Sequence, residues 1–459
     1  MVLCLLTGAG GDCLAAPQAQ ENRQRLNILF LLADDLRWDG LGCAGNRFVP
    51  TPHIDELASK GVRFKNHFVT TPICNVSRAS IFTGQYKRRH GITDFATPFT
   101  PAQWSGSYPA LLRKLGYRTG FIGKFGVGDE AAVKAMAGEF DYWRGLPGQA
   151  GLFFDPNDPE HRHKTARFGD EAIEFLRQTG ANQPFCLSIS FNAPHARDGQ
   201  IREFEPDPRD EALLSNITIP AFPKRDETWF QKLPEFVKIS EGRKRWEKRF
   251  ATPDMFQRTV KDYYRLIAGI DREVGRLRQT LEEKQLASTT VIVLTSDNGF
   301  FLGERGLADK WFLYEESIRV PLVILDPRTP RASRGKTIDA LSLNIDFAPT
   351  FLDLAGMPTP ANMQGRSLVP LWMKKTPDRW RTEFLCEHDT LPKIIPKSEG
   401  VRTRRWKYLR WTEADPPIEE LYDLREDPLE EHNLAASNRH RSVLSDMRRT
   451  WKRLIDQGR

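Results

Sequence analysis

Four short apolar runs frame this chain, because each stops abruptly at a polar or charged residue. Leu26 to Ala33 reads L-N-I-L-F-L-L-A and ends at Asp34-Asp35. Tyr117 to Gly123 ends at Lys124, and Phe185 to Phe191 ends at Asn192-Ala193-Pro194-His195. Val291 to Thr295 ends at Ser296-Asp297-Asn298-Gly299. Runs of this length without alternation fit strands buried on both faces, the habit of a parallel sheet covered by helices. Helical stretches fill the intervals. Pro52 to Lys60 has a proline at its start and Gly61 at its end. Thr165 to Gln178, Met255 to Glu283 and Ile345 to Leu354 are the others. The class is therefore α/β, with a large, mostly parallel central sheet flanked by helices. In such a sheet ligands bind beyond the carboxyl ends of the strands. The four polar strand ends are the candidate site.

A chain of 459 residues with 40% hydrophobic content can bury a large core and more than one domain. The net charge of +7 leans toward anionic partners. The aromatics are dispersed and no basic repeat or zinc-finger spacing occurs, so no nucleic-acid partner is expected. No stretch is long and apolar enough to span a membrane. Six cysteines in this length make no disulfide scaffold. Cys186 lies in an apolar run and reads as core, as Cys43 can. Residues 1–25 read as a leader or partial signal peptide. Val2 to Leu6 is apolar and Leu14-Ala15-Ala16 suits a cleavage site, so export is expected. Residues 26–375 form the expected catalytic domain, and 376–459 a smaller α+β subdomain. There Arg404-Trp406-Tyr408 and Leu409-Trp411 alternate like strands, Glu420 to Leu424 follows, and a basic amphipathic helix closes the chain. Ala196 to Phe250, rich in proline and charge, reads as an irregular insertion and a substrate rim.

Asp34, Asp35, Asp297 and Asn298 form an oxygen-only set of the kind Ca²⁺ accepts. Each pair alone also fits a polar turn. Cys74 precedes a helix start, with Arg78 one turn on. Backbone N–H groups and a cation there suit an anion and lower a thiol pKa. Arg78 offers a fork of donors to an oxyanion. Lys124 and Lys310 are cations placed to hold a tetrahedral anion. His195 suits a general acid, with a pKa near working pH.

The ordered motifs carry a resemblance. L-L-A-D-D-L-R-W-D-G-L-G-C, T-P-H-I-D-E-L-A-S-K-G-V-R-F and T-P-I-C-N-V-S-R-A-S-I-F-T-G-Q-Y open the series. G-F-I-G-K at Gly120, N-A-P-H at Asn192, T-S-D-N-G-F-F-L-G-E-R-G-L-A-D-K-W at Thr295 and Y-D-L-R-E-D-P-L-E-E-H-N-L at Tyr422 complete it. From Leu26 onward the chain resembles the sulfatase family of the alkaline phosphatase superfamily, closest to branches that act on polysaccharide or glycosaminoglycan sugars. The resemblance implies an alkaline phosphatase-like fold and hydrolysis of a sulfate ester on a sulfated carbohydrate. It implies that Cys74 is oxidised by a formylglycine-generating maturase to formylglycine, whose hydrate ligates one Ca²⁺ and attacks sulfur. Asp34, Asp35, Cys74, Asp297 and Asn298 are then the metal set. Asp297 assists the nucleophile. Arg78, Lys124 and Lys310 stabilise the sulfuryl group, and His195 protonates the departing oxygen. A phosphonate monoester or phosphodiester hydrolase of the same superfamily, and an inactive sulfated-glycan-binding homologue, are the alternatives.

Three positions depart from the family pattern. Val76 occupies the third place of a motif usually written C-x-P/A-x-R. Gly126 stands where a histidine often follows the G-K lysine, so another group should take its role, with the Ala196–Phe250 insertion a candidate source. Arg305 stands where a histidine is common and is expected to contact substrate.

Overall fold

The computed structural model describes residues 25–180, 183–373 and 379–458. Eight strands build the main sheet: β1 (Asn27–Ala33), β2 (Val62–Phe64), β3 (Arg118–Lys124), β4 (Tyr142–Leu146), β5 (Phe185–Ser190), β6 (Thr290–Ser296), β7 (Leu322–Leu325) and β8 (Lys336–Ile338). Their order is β8-β2-β7-β6-β1-β5-β3-β4. The stretch from β6 to β4 is parallel, while β7 runs antiparallel to both its neighbours. The four runs read from the sequence are the adjacent strands β6, β1, β5 and β3, so their polar ends share one edge of the fold.

The register of β1 explains its unbroken apolar run. Leu29, Leu31 and Ala33 enter one core, and Ile28, Phe30 and Leu32 enter the other. On the first face lie α1 (Pro52–Lys60), with the predicted bounds, α3 (Lys164–Gln178) and α5 (Pro253–Glu283). On the second lie α2 (Cys74–Thr83) and α6 (Phe347–Leu354). Phe30 meets Phe347 and Phe351 at ring separations of 5.3 and 5.1 Å. Truncating such a buried ring costs about 3–5 kcal/mol.

A second, antiparallel sheet follows: β9 (Glu383–His388), β10 (Ser398–Thr403), β11 (Trp406–Trp411) and β12 (Ile418–Asp423), with α7 (Arg441–Gln457) against it. Arg404 lies in the β10–β11 turn rather than in a strand. The expected irregular insertion is partly helical, containing Glu227–Gln231, Glu235–Lys238 and α4 (Glu241–Arg249). Cys186 is core, whereas Cys43 is half-buried beside Asp55, where burial pushes its thiol up to about 12. The expected leader, except Arg25, and the boundary at residues 375/376 lie outside the described residues.

Candidate active site

The strand ends are stitched together by backbone bonds. Asp34 N–H donates to Ala193 O and Asp297 N–H to Ala33 O, each at 3.1 Å. These bonds fix β1, β5 and β6 at the point where their polar residues emerge. Asp35 adopts a φ of 69°, in the left-handed region. Its N–H reaches Asp297 Oδ1 at 3.2 Å, and Asn298 Nδ2 donates to Asp35 Oδ1 at 2.5 Å.

α2 enters from the other side with all ten of its residues buried. Cys74 is its first residue, and its thiol donates to Asp34 Oδ1 at 3.3 Å. Arg78, one turn on, directs Nε and Nη2 at Asp297 Oδ2, each at 2.8 Å. Its Nη1 donates to Lys124 O at 2.7 Å and also to Ser190 Oγ. The Lys124 ammonium lies 2.5 Å from Asp34 Oδ2 and also donates to Gln149. Lys310 donates to Asp35 Oδ2 at 2.7 Å, and His195 Nε2 lies 3.6 Å from the same oxygen. Every predicted residue except Arg305 therefore belongs to one buried cup.

The charges are unevenly matched. Burial opposes ionisation of Asp34, yet Lys124 and Arg78 hold its carboxyl far below the usual range. Burial and the neighbouring carboxylates outweigh Lys310 at Asp35 and push it up to about 7. Asp297 is raised as well, by burial and by Asp34, against Arg78. Asp35 and Asp297 thus resist ionisation, while Asp34 does not. Ligand atoms of Asp34, Asp35, Cys74 and His195 lie within 4.8 Å of one another. The Asn298 amide oxygen is buried and has no hydrogen-bond partner among the described residues. This oxygen-rich set, with an unpartnered amide oxygen, fits a hard divalent cation.

Two expectations about pKa are reversed. The Cys74 thiol is raised well above its ordinary value by burial and by Asp34, which outweigh Lys124 and Lys310. His195 is driven well below its ordinary value by burial and by Lys310. Its Nδ1 faces Ala196 O at 2.5 Å, so the neutral ring keeps its proton there and leaves Nε2 bare.

Arg305 does not take the substrate-contacting place expected of it. It is buried, donates to the carbonyls of Leu429 at 3.2 Å and Glu430 at 2.6 Å, and lies over the Tyr314 ring at 4.1 Å. Its guanidinium ties the motif loop to the segment after β12.

Sequence reasoning missed Gln149, Ser190 and Asp309. Asp309 precedes Lys310 with its Oδ1 3.7 Å from Nζ, and it is held by Arg245 at 2.9 Å and by Arg249, both from α4. The insertion thus reaches the site through Asp309, not beside Lys124.

Residues 26–357 match the profile described as Sulfatase, and residues 303–457 match N-sulphoglucosamine sulphohydrolase, C-terminal. A relative from Bacteroides thetaiotaomicron, N-acetylglucosamine-6-O-sulfatase, is 32% identical over 92% of this chain and 84% of its own. A solved structure described as a complex with its substrate D-glucosamine-2-N,6-O-disulfate superposes with a TM-score of 0.83. It is 28% identical and covers 95% of this chain and 98% of its own. The phosphonate monoester hydrolase of Agrobacterium radiobacter has a TM-score of 0.80 at 23% identity, covering 95% and 96%. That last likeness is one of fold.

Proposed function

Because the chain belongs to the sulfatase family, and is thus a sulfuric ester hydrolase, we propose that it removes sulfate from a sulfated carbohydrate. The observation that carries this reading is the convergence of Cys74, Arg78, Lys124, His195 and Lys310 on Asp34, Asp35 and Asp297 in one buried cup. The named substrates of the relative and of the solved structure support a sulfated sugar.

Asp34, Asp35, Asp297 and Asn298, with residue 74, would hold Ca²⁺, which supplies Lewis-acid stabilisation of negative charge. The unmodified Cys74 is a buried, protonated thiol and a poor nucleophile. Its oxidation to formylglycine by a maturase would supply a hydrated aldehyde in its place.

The remaining roles belong to this chain's own side chains. Lys124 and Lys310 present ammonium groups to the sulfuryl oxygens. Arg78 orients Asp297 and adds a third cation. Such preorganised charge dominates rate enhancement, and losing one donor costs about 10²–10³-fold. Asp297 would accept the proton of the nucleophile. His195 moves a proton at Nε2 to the departing sugar oxygen. The charge of the entering ester offsets the field of Lys310 and draws the imidazole back toward its ordinary range.

Residues 26–375 are proposed as the catalytic domain and 376–459 as the subdomain built on β9–β12. The leader at 1–25 is proposed to export the chain. Among the described residues no helix is long and apolar enough to cross a membrane.

The test is co-expression with a formylglycine-generating enzyme, a mass spectrum of the Cys74 peptide, and turnover of an aryl sulfate against an aryl phosphonate monoester. Aldehyde at residue 74 and preferred sulfate turnover, lost on chelation and restored by Ca²⁺, are expected. Preferred phosphonate turnover would identify the superfamily's other activity. An intact thiol without turnover would mark a glycan-binding homologue.

A further inference from the structure

The loop after β4 brings an unassigned side chain to the mouth of the cup. β4 pairs with β3 so that Leu146 stands opposite Lys124, and Phe125 N–H donates to Leu146 O at 3.0 Å. The chain then turns over Pro147–Ala150, closed by Ala150 N–H to Pro147 O at 3.0 Å. Gly148 and Ala150 take φ values of 55° and 62°. Lys164, the first residue of α3, donates to the Ala150 carbonyl and anchors the turn. This construction brings Gln149 against Lys124, whose ammonium donates to it.

An ammonium only donates, so the contact fixes the amide's orientation. Oε1 faces Lys124 and the NH₂ group faces away. Among the described residues the Gln149 side chain has one hydrogen bond, the one its Oε1 accepts from Lys124. Lys124 is wholly buried and Gln149 half-buried, so the amide stands at the outer edge of the cup. Position 126 has no equivalent reach. A Cβ on Gly126 would lie 2.5 Å from Arg78 Cδ and 3.7 Å from Lys124 Cε, at a φ of 76°.

The geometry points to Gln149 as a further anion-contacting residue, whose Oε1 holds the Lys124 ammonium while its NH₂ donates to a sulfuryl oxygen. This rests on the sulfate-ester reading proposed above. A neutral donor adds a contact to the anion without a further positive charge that would retain the sulfate product.

The experiment compares wild type, Gln149→Ala, Gln149→Glu and Lys124→Ala with an aryl sulfate as substrate and inorganic sulfate as inhibitor. Gln149→Ala should raise KM and weaken sulfate inhibition about 10-fold, the usual scale of a hydrogen bond to a charged group, with an unchanged melting temperature. Gln149→Glu keeps a partner for Lys124 but presents a carboxylate to the anion, so it should weaken both beyond the alanine variant. A residue that merely oriented Lys124 would give the opposite order. KM and sulfate inhibition of Gln149→Ala within about twofold of wild type, or glutamate outperforming alanine, would overturn the inference alone when Lys124→Ala is inactive. A wild-type protein that neither turns over the aryl sulfate nor binds inorganic sulfate would instead overturn the sulfate reading itself.

Discussion

Arg78 places Nε and Nη2 on a single oxygen of Asp297, both at 2.8 Å. Asp297 Oδ1 is thereby left to the Asp35 N–H. The α2 helix and the ends of β1 and β6 are locked through one carboxylate. Arg78→Lys keeps the charge but loses the fork. We expect kcat to fall about 10²–10³-fold, with a smaller loss of stability than in Arg78→Ala. The alanine variant leaves buried carboxylates unpaired, a loss of about 3–5 kcal/mol. Steady-state kinetics and denaturant melts of the two variants check this.

Arg305 gives a second prediction, with the opposite signature. Its guanidinium bonds carbonyls of Leu429 and Glu430 rather than facing the cup. Arg305→Ala should therefore leave KM unchanged and cost about 2–3 kcal/mol of stability, the scale of a hydrogen bond to a charged group. A raised KM with unaltered stability would restore the role of substrate contact.

His90 couples stability to pH outside the site. Burial pushes its pKa down to about 3 from 6.5. The ring accepts from Ile92 N–H at 3.1 Å and meets Ser80 Oγ at 3.1 Å, so the folded state holds it neutral. The unfolded chain takes up this proton as pH falls below 6.5, and the folded state does so only near 3. Stability from neutral His90 is thus complete above 6.5 and lost across that window. Glu171 and Glu273, both pushed up to about 7 by burial, trend the other way. The useful measurement is therefore the difference between wild type and His90→Gln, which cancels them. Wild type should hold an advantage that shrinks by about 1.4 kcal/mol per pH unit below 6.5.

What the sequence made legible was whatever depends on local burial. β1, β3, β5 and β6 were readable because two-face burial leaves no polar alternation. α1 was exact because Pro52 and Gly61 mark its ends. The cup followed because the parallel sheet puts those strand ends together. The thiol pKa of Cys74 was misjudged, since a helix N-terminus and cations are outweighed by burial and Asp34. Arg305 lay inside a site-like motif, but its partners come from more than a hundred residues downstream. Gln149 carried no signal, because its place depends on the β3–β4 register and on the Lys164 anchor.

The insertion yields the last prediction. Arg245 and Arg249, both on α4, converge on Asp309 Oδ2. Asp309 adopts a φ of 68° and Trp311 one of 83°, so Lys310 sits between two strained residues. Such conformations cost about 1–3 kcal/mol each and persist only where the surroundings enforce them. The arginines supply that enforcement, and burial would otherwise penalise the Asp309 charge. Arg249→Ala should relax this segment and let Lys310 wander from its 2.7 Å contact with Asp35. A misplaced catalytic cation lowers the rate more than the affinity, and a displacement of about 1 Å costs up to 10²-fold. Arg249→Lys restores the charge without the fork and should recover part of kcat. If instead the insertion is only a substrate rim, Arg249→Ala will raise KM on a sulfated oligosaccharide and leave aryl sulfate turnover intact. Measuring both substrates on both variants separates the two.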